Sequence, residues 1–412
     1  MKIWILQTGE PVQTDKARSR PMRAMNLSNA LVKDGHDVEI WTSNFDHFLK
    51  NHRSKAQNNF EVSKTLKIRL ISSRGYRSNI GIGRLIDHAE LALNLRKMLK
   101  SEIPPDVAFI GYPPIETAWI LTKWLKNKQV PILLDIKDAW PEILLRVFPP
   151  QIRFLGWLVI TPYRLMMKRT FKDVDGICAP TNEFLNWGLN NASRRKTLVD
   201  TVAPLTSPNS DFTNDEIVSA GKWLDSLGIY DDKTARVSFI GSLNTAFDFK
   251  PVIFAAQNLR CQFVIAGDGP MYKEIMNMSA GIKNIVMPGW LTECQSKVLS
   301  ERSKIMLAPL KDLPDFKMSI PNKFFDYMSN GKPIFSSISG VAGKLISDNN
   351  IGREYTNNDL DSLANLLKEV LADDNLIEEM SDNSRKLFLA NFSSDKIYHN
   401  LVTHLVMMHN AH

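Results

Sequence analysis

The sequence predicts an α/β protein made of two domains, each with a parallel β-sheet. In the first half, short apolar stretches typical of buried strands alternate with helix-length segments, which is the pattern of a parallel sheet with right-handed crossovers. A polar, turn-rich stretch over residues 204–215 interrupts this pattern and predicts a linker. The alternation then begins again, and 412 residues suffice for two domains of ordinary size.

In the first half, the strands are predicted over residues 2–7, 37–42, 67–72, 106–112 and 131–136. Helices are predicted over 21–34, 85–100 and 115–126. Gly35 ends the first helix, because glycine readily adopts the left-handed conformation that closes a helix. A further strand and loop over 173–181 lead into a helix that runs through Asn186.

The second half repeats this order. Strands are predicted over 235–240, 262–266, 284–287, 304–310 and 333–336, and helices over 249–259, 292–300, 360–371 and 376–390, with one more helix ending at Met278 and another from Asp395 onwards. The first three strands end in small residues at Gly241, Gly267 and Gly289. Since the carboxyl ends of parallel strands meet at one edge, this edge suits the close approach of a nucleotide.

Composition excludes several classes of protein. No stretch reaches the 18 or so apolar residues of a membrane span, and the first strand is too short for a signal peptide. The three cysteines, Cys178, Cys261 and Cys294, are widely spaced, which favours a reducing cytoplasm. No metal-ligand spacing or nucleic-acid module is present, so neither a metal nor a nucleic-acid partner is expected. The formal charge of +7 is moderate, but nine Lys/Arg face a single acid between Lys50 and Arg84.

A short helix is predicted between Pro321 and Gly331. Pro suits the first turn of a helix, and Gly followed by Lys-Pro suits its end. Lys323 and Asp326 lie three residues apart and share a face. Together with free backbone N–H groups, including that of Asn322, the lysine suits a diphosphate and the carboxylate suits the hydroxyls of a ribose. The alternative is a surface helix with an ordinary Lys–Asp ion pair.

The stretch Pro-Asn-Lys-Phe-Phe-Asp-Tyr-Met-Ser-Asn-Gly-Lys-Pro resembles the sugar-nucleotide signature of the retaining GT-B glycosyltransferases of family 4, especially bacterial enzymes of surface polysaccharide biosynthesis. This resemblance implies two Rossmann-like domains that face each other across a cleft. Residues 1–205 would bind the acceptor and 206–390 the nucleotide sugar, and a helix over 391–412 would cross back to the first domain. In the family an acidic residue, usually Glu, holds the donor ribose, and Asp326 stands in its place.

Two departures from the family pattern concern the diphosphate. A second Glu is often found eight residues before the ribose ligand, but this chain has Met318 there, so its role must fall to other groups or to the loop of Asp312 and Asp315. Family members also often carry Arg after the first glycine loop and Lys a few residues later. Ser242 and Ala246/Phe247 occupy these positions here, which makes Lys323 and the main-chain donors the more important candidates.

The resemblance also assigns loops to the donor and to the cleft. Gly241, Gly267, Gly269 and Trp290 correspond to the glycine-rich and base-reading loops of the family. Gly9, with Arg18 and Arg20, belongs to a first loop that reaches towards donor phosphate and acceptor. The sequence there is not GxGxxG, so a tightly held dinucleotide is not predicted, and a solvated basic loop is the alternative.

Residues 135–142 place three acids, a lysine and a tryptophan at the end of a buried strand, which is typical of a site. They resemble a segment of aminosugar-transferring relatives. Asp138 matches a family Asp, and Lys137 replaces a His that lies near the transferred sugar, so both are predicted catalytic residues. Trp140 suits packing or a sugar platform. His47 and His88 border basic loops and are weaker candidates for contact with the acceptor.

Between residues 143 and 172 an apolar, tryptophan-bearing stretch is mixed with basic residues, five Lys/Arg and no acid from 151 to 172. It predicts either a helix that lies in an anionic membrane interface or a buried helix with a basic end. A lipid-linked acceptor would make the interfacial alternative natural. The expected location is the cytoplasm, at the inner face of the cytoplasmic membrane.

These features predict a hexosyltransferase. It would move a sugar, with an N-acetylated aminosugar on UDP as the first expectation, to a glycan or a polyprenyl-diphosphate-linked acceptor. The resemblance implies retention of the anomeric configuration without a metal or other cofactor. The alternatives are a nucleotide-sugar 2-epimerase of GT-B fold and a catalytically silent scaffold in a polysaccharide assembly complex, the latter motivated by Met318.

Overall fold

The computed structural model describes residues 1–15, 20–54, 59–78, 81–147, 149, 151, 153–206, 208, 210–314 and 316–411. The chain forms two compact units. The first comprises Met1–Ser207 together with Ser394–His412, and the second comprises Pro208–Ser393. None of the described helices combines the length and the apolar character needed to cross a bilayer.

The first unit is built on a largely parallel eight-stranded sheet. Its strands are β1 (Lys2–Leu6), β2 (Asp37–Ser43), β5 (Asn59–Glu61), β6 (Leu66–Ile71), β7 (Val107–Tyr112), β8 (Ile132–Ile136), β9 (Gly176–Ala179) and β10 (Thr201–Val202), and a separate hairpin consists of β3 (Phe45–Asp46) and β4 (Asn51–His52). The order is β10-β9-β8-β7-β1-β2-β6-β5, and β5 alone in this sheet pairs antiparallel. The central strands β7 and β8 are buried throughout, as expected for a sheet covered on both faces.

Helices follow the strands of the first unit: α1 (Arg23–Lys33), α2 (Ile82–Met98), α3 (Ile115–Lys126), α4 (Arg153–Asp173) and α5 (Asn182–Ala192). Because each crossover helix begins where a strand ends, the first turns of α1, α2, α3 and α4 lie at the carboxyl edge of the sheet. The predicted strands and helices of this half are therefore confirmed to within a few residues. The hairpin, β5 and β10 were not predicted.

The second unit contains a parallel six-stranded sheet of order β13-β12-β11-β14-β15-β16. Its strands are β11 (Arg236–Ile240), β12 (Gln262–Ala266), β13 (Ile285–Gly289), β14 (Ile305–Ala308), β15 (Ile334–Ser336) and β16 (Gly352–Glu354). Its helices are α6 (Asn214–Ser226), α7 (Lys250–Asn258), α8 (Tyr272–Met278), α9 (Glu293–Glu301), α10 (Asn322–Ser329), α11 (Val341–Asp348), α12 (Leu360–Val370) and α13 (Asp374–Asn391). From β11 the sheet continues through β12 and β13 on one side and through β14, β15 and β16 on the other. In α/β folds, ligands bind beside such a reversal of strand order.

The last helix, α14 (Ser394–Asn410), belongs to the core of the first unit. Its apolar face packs with α1 and the strands of that sheet. The Tyr398 hydroxyl donates to the Thr206 carbonyl at 2.8 Å, and His404 Nε2 lies 3.0 Å from the Val199 carbonyl oxygen. The first unit is therefore assembled from two separate parts of the chain.

Candidate functional site

Helix α10 is fastened to the carboxyl ends of two central strands of the second unit. The Tyr327 hydroxyl accepts a hydrogen bond from the Ile240 N–H and donates one to the Leu307 carbonyl, both at 3.2 Å. Phe324 and Met328 fill the core beneath the helix. Pro321 precedes the first turn in an extended conformation, and Asn322 is exposed at the helix start. These contacts hold the helix N-terminus at the sheet edge.

Lys323 extends from this helix into an aromatic setting. Its ammonium lies 3.8 Å from the centre of the Phe239 ring and 4.0 Å from that of Phe247. The ammonium is buried and makes no hydrogen bond with any residue that the structure describes. Burial lowers the pKa of Lys323 well below its usual value, and the carboxylate of Asp326 opposes this shift. A buried ammonium without a hydrogen-bonding partner is costly, so this arrangement favours an anion beside it.

Three glycines form the adjoining loops at the ends of β11 and β12. A Cβ added at Gly241 would lie 3.0 Å from the Lys323 ammonium. At Gly267 (φ +141°) it would lie 1.8 Å from the Gly241 carbonyl oxygen, and at Gly269 (φ +152°) 2.4 Å from that of Leu243. The loops are also joined by backbone hydrogen bonds, such as Leu243 N–H to the Asp268 carbonyl at 2.8 Å. Backbone therefore packs on backbone beside the lysine, and only glycine fits.

The remaining predicted donor residues of the second unit have clear positions. Asp326 is half-buried one turn after Lys323, and Trp290 is 71 % exposed just beyond β13. Asp312 is engaged by Lys317 at 2.8 Å and by the Ser339 hydroxyl at 2.8 Å, which lowers the pKa of its carboxyl although partial burial acts against this. Asp315 and Arg18 lie outside the described residues. Phe247 forms part of the aromatic surroundings of Lys323.

The first unit contains a pocket of about 220 Å³ at the carboxyl edge of its sheet. It is lined by Gln7, Thr8, Gly9, Glu10, Met22, Ser43, Phe45, His47, Phe48, Tyr76, Arg84, Asp87, His88, Leu91, Pro113, Pro114, Lys137 and Asp138. The predicted residues Gly9, Lys137 and Asp138 thus share one pocket with the two weaker histidine candidates. Trp140 is buried beside it, and its carbonyl accepts from the Tyr112 hydroxyl at 2.7 Å.

Lys137 is held by a buried cluster of charges. Its ammonium forms an ion pair with Glu10, lies 3.6 Å from Asp135, and donates to Gln7 Oε1 at 3.0 Å. Arg23 lies 3.6 Å from the same Asp135, and the second oxygen of Glu10 accepts from the Ala24 N–H at 2.8 Å. Two acids therefore balance two bases. Lys137 fixes the loop that carries Gly9, and its positive charge is neutralised within the cluster.

Asp138 is exposed at the pocket wall. The protein atoms packed around it still displace part of its hydration, which raises the pKa of its carboxyl, while the charges of Lys137 and Arg84 act in the opposite direction. The geometry leaves this carboxylate open to a ligand in the pocket. The catalytic roles of Asp138 and Lys137 remain predictions.

Several pocket residues were missed from the sequence. Tyr76 and Arg84 belong to residues 50–84, where basic residues far outnumber acids. That count could not show which of these residues line the pocket. His88 lines the pocket, and its Nδ1 lies 3.7 Å from a carboxylate oxygen of Glu116. Burial is the main cause of their shifted pKa values, about 3 for His88 and about 7 for Glu116. No sequence motif marks this pair, because its members are on different helices.

Comparison with protein families gives a match within the second unit. Residues 234–373 match the family model described as Glycosyl transferases group 1. No curated protein sequence matches the chain significantly. Among the described residues, no three His, Cys, Asp or Glu side chains meet in a geometry that could hold a metal ion.

Several solved structures are similar over nearly the whole chain. Sucrose-phosphate synthase from Thermosynechococcus elongatus aligns with a TM-score of 0.71 at 14 % identity, covering 100 % of both chains. HepE from Anabaena, solved in complex with UDP, aligns with a TM-score of 0.67 at 13 % identity, covering 98 % of this chain and 99 % of the other. WaaG, a glycosyltransferase involved in lipopolysaccharide biosynthesis, aligns at 0.64 and 14 % identity over 98 % and 99 %. The chain therefore has the GT-B fold, and its second unit carries the match to the group 1 glycosyltransferase domain.

Proposed function

We propose that the protein is a glycosyltransferase of the hexosyltransferase type. It transfers a sugar from a nucleotide diphosphate donor to a hydroxyl of a growing surface glycan. The observation that carries this proposal is the buried Lys323 ammonium between Phe239 and Phe247, next to the packed glycine loops and one turn before Asp326. A diphosphate would supply the hydrogen-bond acceptors for this ammonium.

In this mechanism the second unit stabilises the leaving group. Negative charge develops on the departing diphosphate while the sugar ring becomes oxocarbenium-like. Lys323 and the first N–H groups of α10 oppose that charge within a setting from which water is largely excluded, where such interactions are strongest. Asp326 would accept hydrogen bonds from the ribose hydroxyls. We propose retention of configuration, as in family 4, without a bound metal.

UDP is the proposed nucleotide, and an N-acetylated aminosugar is the proposed group transferred. The UDP complexes of HepE, a protein of the same fold, support the choice of base. The aminosugar rests on the likeness of residues 135–142 to aminosugar transferases. We propose a glycan or polyprenyl-diphosphate-linked acceptor in the first unit.

Calorimetric titration of the full chain with UDP, GDP, CDP and ADP tests the donor site. UDP should bind most tightly, and Asp326→Ala should weaken it about tenfold or more through the loss of a charge-assisted hydrogen bond. Asp382→Ala, which removes an exposed carboxylate on α13, is the matched control and should bind like the wild type. Unchanged affinity in Asp326→Ala would remove the ribose assignment. An assay for turnover of nucleotide sugars tests the two alternatives. No turnover would favour a scaffold, and a 2-epimerised product would favour the epimerase.

We also propose that α4 lies against an anionic membrane. Phe154, Leu158 and Leu165 are 64 %, 70 % and 53 % exposed along one side of the helix, and the exposed Lys168 and Arg169 continue that side. The opposite side, with Ile160, Met167 and Phe171, is buried in the unit. An exposed apolar stripe that ends in basic residues suits the interface of an anionic bilayer. This arrangement would bring the protein to the cytoplasmic face of the membrane and near a lipid-linked acceptor.

Sedimentation with phosphatidylglycerol vesicles tests the membrane proposal. Phe154→Ser with Leu158→Ser should release most of the protein, and so should Lys168→Glu with Arg169→Glu. The matched control is Leu198→Ser, because Leu198 is 91 % exposed but lies outside α4. Undiminished sedimentation of both double variants would exclude α4 as the contact.

A further inference from the structure

Four basic side chains surround the ring of Tyr76; three of them, His47, Arg84 and His88, line the pocket of the first unit, and Lys50 lies beside them over the ring. The Lys50 ammonium lies 4.6 Å and the Arg84 guanidinium carbon 5.6 Å from the ring centre. His47 Nδ1 is hydrogen-bonded to the Tyr76 hydroxyl, and the His88 ring centre lies 6.3 Å from that of Tyr76. We call Lys50, His47, Arg84 and His88 the basic wall.

Several acids lie near the basic wall: Glu116 lies 3.7 Å from His88 Nδ1, and two others are hydrogen-bonded to the backbone. Asp46 accepts from the Phe48 and Leu49 N–H groups at 2.8 and 2.9 Å, and Asp87 accepts from the Gly75 N–H at 2.6 Å. Both carboxylates are buried. They support the loops that carry the wall, and Asp87 lines the pocket together with Asp138 from the loop after β8.

The wall is arranged to keep two cations close to each other. The pKa of Lys50 is lowered mainly by burial and secondly by the charge of Arg84. Burial followed by the charges of Lys50 and Arg84 lowers the pKa of His47 to about 4, so this imidazole is neutral at pH 7. If the Tyr76 hydroxyl donates to His47 Nδ1, the proton of the imidazole is on Nε2, where it can donate to a ligand. Lys50 also holds a left-handed backbone conformation, with φ +55°, which costs energy for a non-glycine residue.

Arg84 is held by contacts with aromatic rings and with His88. Its guanidinium carbon lies 5.0 Å from the centre of the Trp140 ring, and its Nε donates to His88 Nε2 at 3.4 Å. Stacking on aromatic rings fixes the plane of a guanidinium and directs its other N–H groups. Two cations and a neutral imidazole donor on one wall therefore form an oxyanion-binding set.

We propose that the basic wall binds a phosphate or carboxylate group carried by the acceptor, with Lys50 and Arg84 as the charged contacts and His47 as a neutral donor. That the bound group belongs to an acceptor rests on the proposed function. The oxyanion site itself lies within the first unit and is independent of the donor site. The same chemistry is offered by a lipid-linked phosphate, by a phosphorylated sugar and by a uronic acid. A neutral sugar would lack the group that the wall recognises.

Calorimetry of the full chain with geranyl phosphate, glucose 6-phosphate, glucuronate and glucose tests this inference. At least one anionic probe should bind more tightly than glucose, and Lys50→Gln and Arg84→Gln should each weaken it about tenfold. Arg84→Lys, which keeps the charge without the planar fork, should recover part of the loss. The matched control is Arg96→Gln with Lys100→Gln, because both residues are exposed near the far end of α2 and its continuation. The tightest probe identifies the source of the oxyanion.

A crossed titration separates this inference from the proposed function. Lys323→Gln should lose UDP and keep the anionic probe, whereas Arg84→Gln should keep UDP and lose the probe. Wild-type protein that binds the probe through Arg84 but binds no nucleotide would overturn the proposed function alone. Equal affinity for glucose and all three anions, or anion binding that ignores both wall substitutions, would overturn the oxyanion site.

Discussion

Lys323 illustrates at the scale of one residue how a binding group can oppose stability. The folded chain buries its ammonium without a hydrogen-bond acceptor among the described residues, whereas the unfolded chain leaves it in water. The neighbouring Lys332 is different, because its ammonium donates to the carbonyls of Glu301 and Ser303, both at 2.9 Å. The two lysines therefore form a natural pair for comparison.

Substitution of each lysine by methionine should give opposite results. Lys323→Met should leave the free energy of unfolding unchanged or raise it by about 1 kcal/mol, because an apolar chain of similar volume suits the Phe239 and Phe247 rings. Lys332→Met should lower it by about 1–3 kcal/mol, because two carbonyls lose their donor. Urea denaturation at pH 7 without nucleotide measures both. A loss of stability in Lys323→Met would contradict the idea that its ammonium is unsatisfied.

Glu116 should produce a pH-dependent difference in stability. Burial raises the pKa of its carboxyl from 4.5 to about 7. Between these values the folded protein keeps a proton that the unfolded chain has released, so the stability due to this group is complete below pH 4.5 and is lost as the pH rises to about 7. Relative to the wild type, Glu116→Gln should therefore gain up to about 3 kcal/mol between pH 5 and 8.

Urea denaturation of both proteins at several pH values measures this gain. The histidines His47 and His88 are present in both proteins, so their contributions largely cancel in the difference. Glu369→Gln, at an exposed position on α12, should give a difference that does not vary with pH. A constant difference for Glu116→Gln would mean that its carboxyl ionises normally in the folded state.

Much of the residue-level chemistry depends on contacts that no local pattern reveals. The sequence around 321–333 was sufficient to select Lys323 and Asp326 as candidate donor ligands, a role that stays a prediction. It could not reveal the aromatic enclosure of Lys323, because Phe239 and Phe247 lie far away in the chain. The ion pair between Lys137 and Glu10 was missed for the same reason, since it joins the loops after β8 and β1.

At the scale of elements, the glycine loops after β11 and β12 act as one piece of backbone. Alanine at Gly267 would require both a positive φ and space now occupied by the Gly241 carbonyl. We expect Gly267→Ala to lower the free energy of unfolding by about 3 kcal/mol and to abolish UDP binding. Gly281→Ala, at φ +83° with no atom within 4 Å, should cost only about 1 kcal/mol and leave binding intact. Equal losses, measured by urea denaturation, would mean that the loop contact adds nothing.

Element types were predicted more reliably than element limits. Apolar strands bounded by glycine or proline were found within a few residues of their predicted positions. Part of the predicted linker over 204–215 is instead the start of α6, which a capping box between Thr213 and Glu216 begins at Asn214. Helix α11 was not predicted, because its eight residues include glycine and have no side-chain cap. For α4, a buried and an exposed stripe coexist. The buried stripe agrees with the alternative of a packed helix, and membrane contact through the exposed stripe stays a proposal.

At the scale of the whole molecule, the first unit depends on α14. Deletion of residues 394–412 would expose the core residues that Ile397, Leu401, Val402 and Leu405 now cover. We expect this truncation to unfold the first unit while the second keeps its structure and its affinity for UDP, because all its strands lie within one continuous stretch. Limited proteolysis with mass spectrometry, together with UDP calorimetry, measures both effects. A first unit that resists protease after truncation would contradict this dependence.

The discontinuous first unit also constrains how the protein matures during translation. The sheet of the first unit is synthesised first, but α14, which covers part of it, follows only after about 190 further residues. The second unit can fold as soon as its own strands have emerged from the ribosome. A nascent chain therefore acquires a complete second unit before a complete first unit. During that interval the uncovered face of the early sheet is a natural target for chaperones.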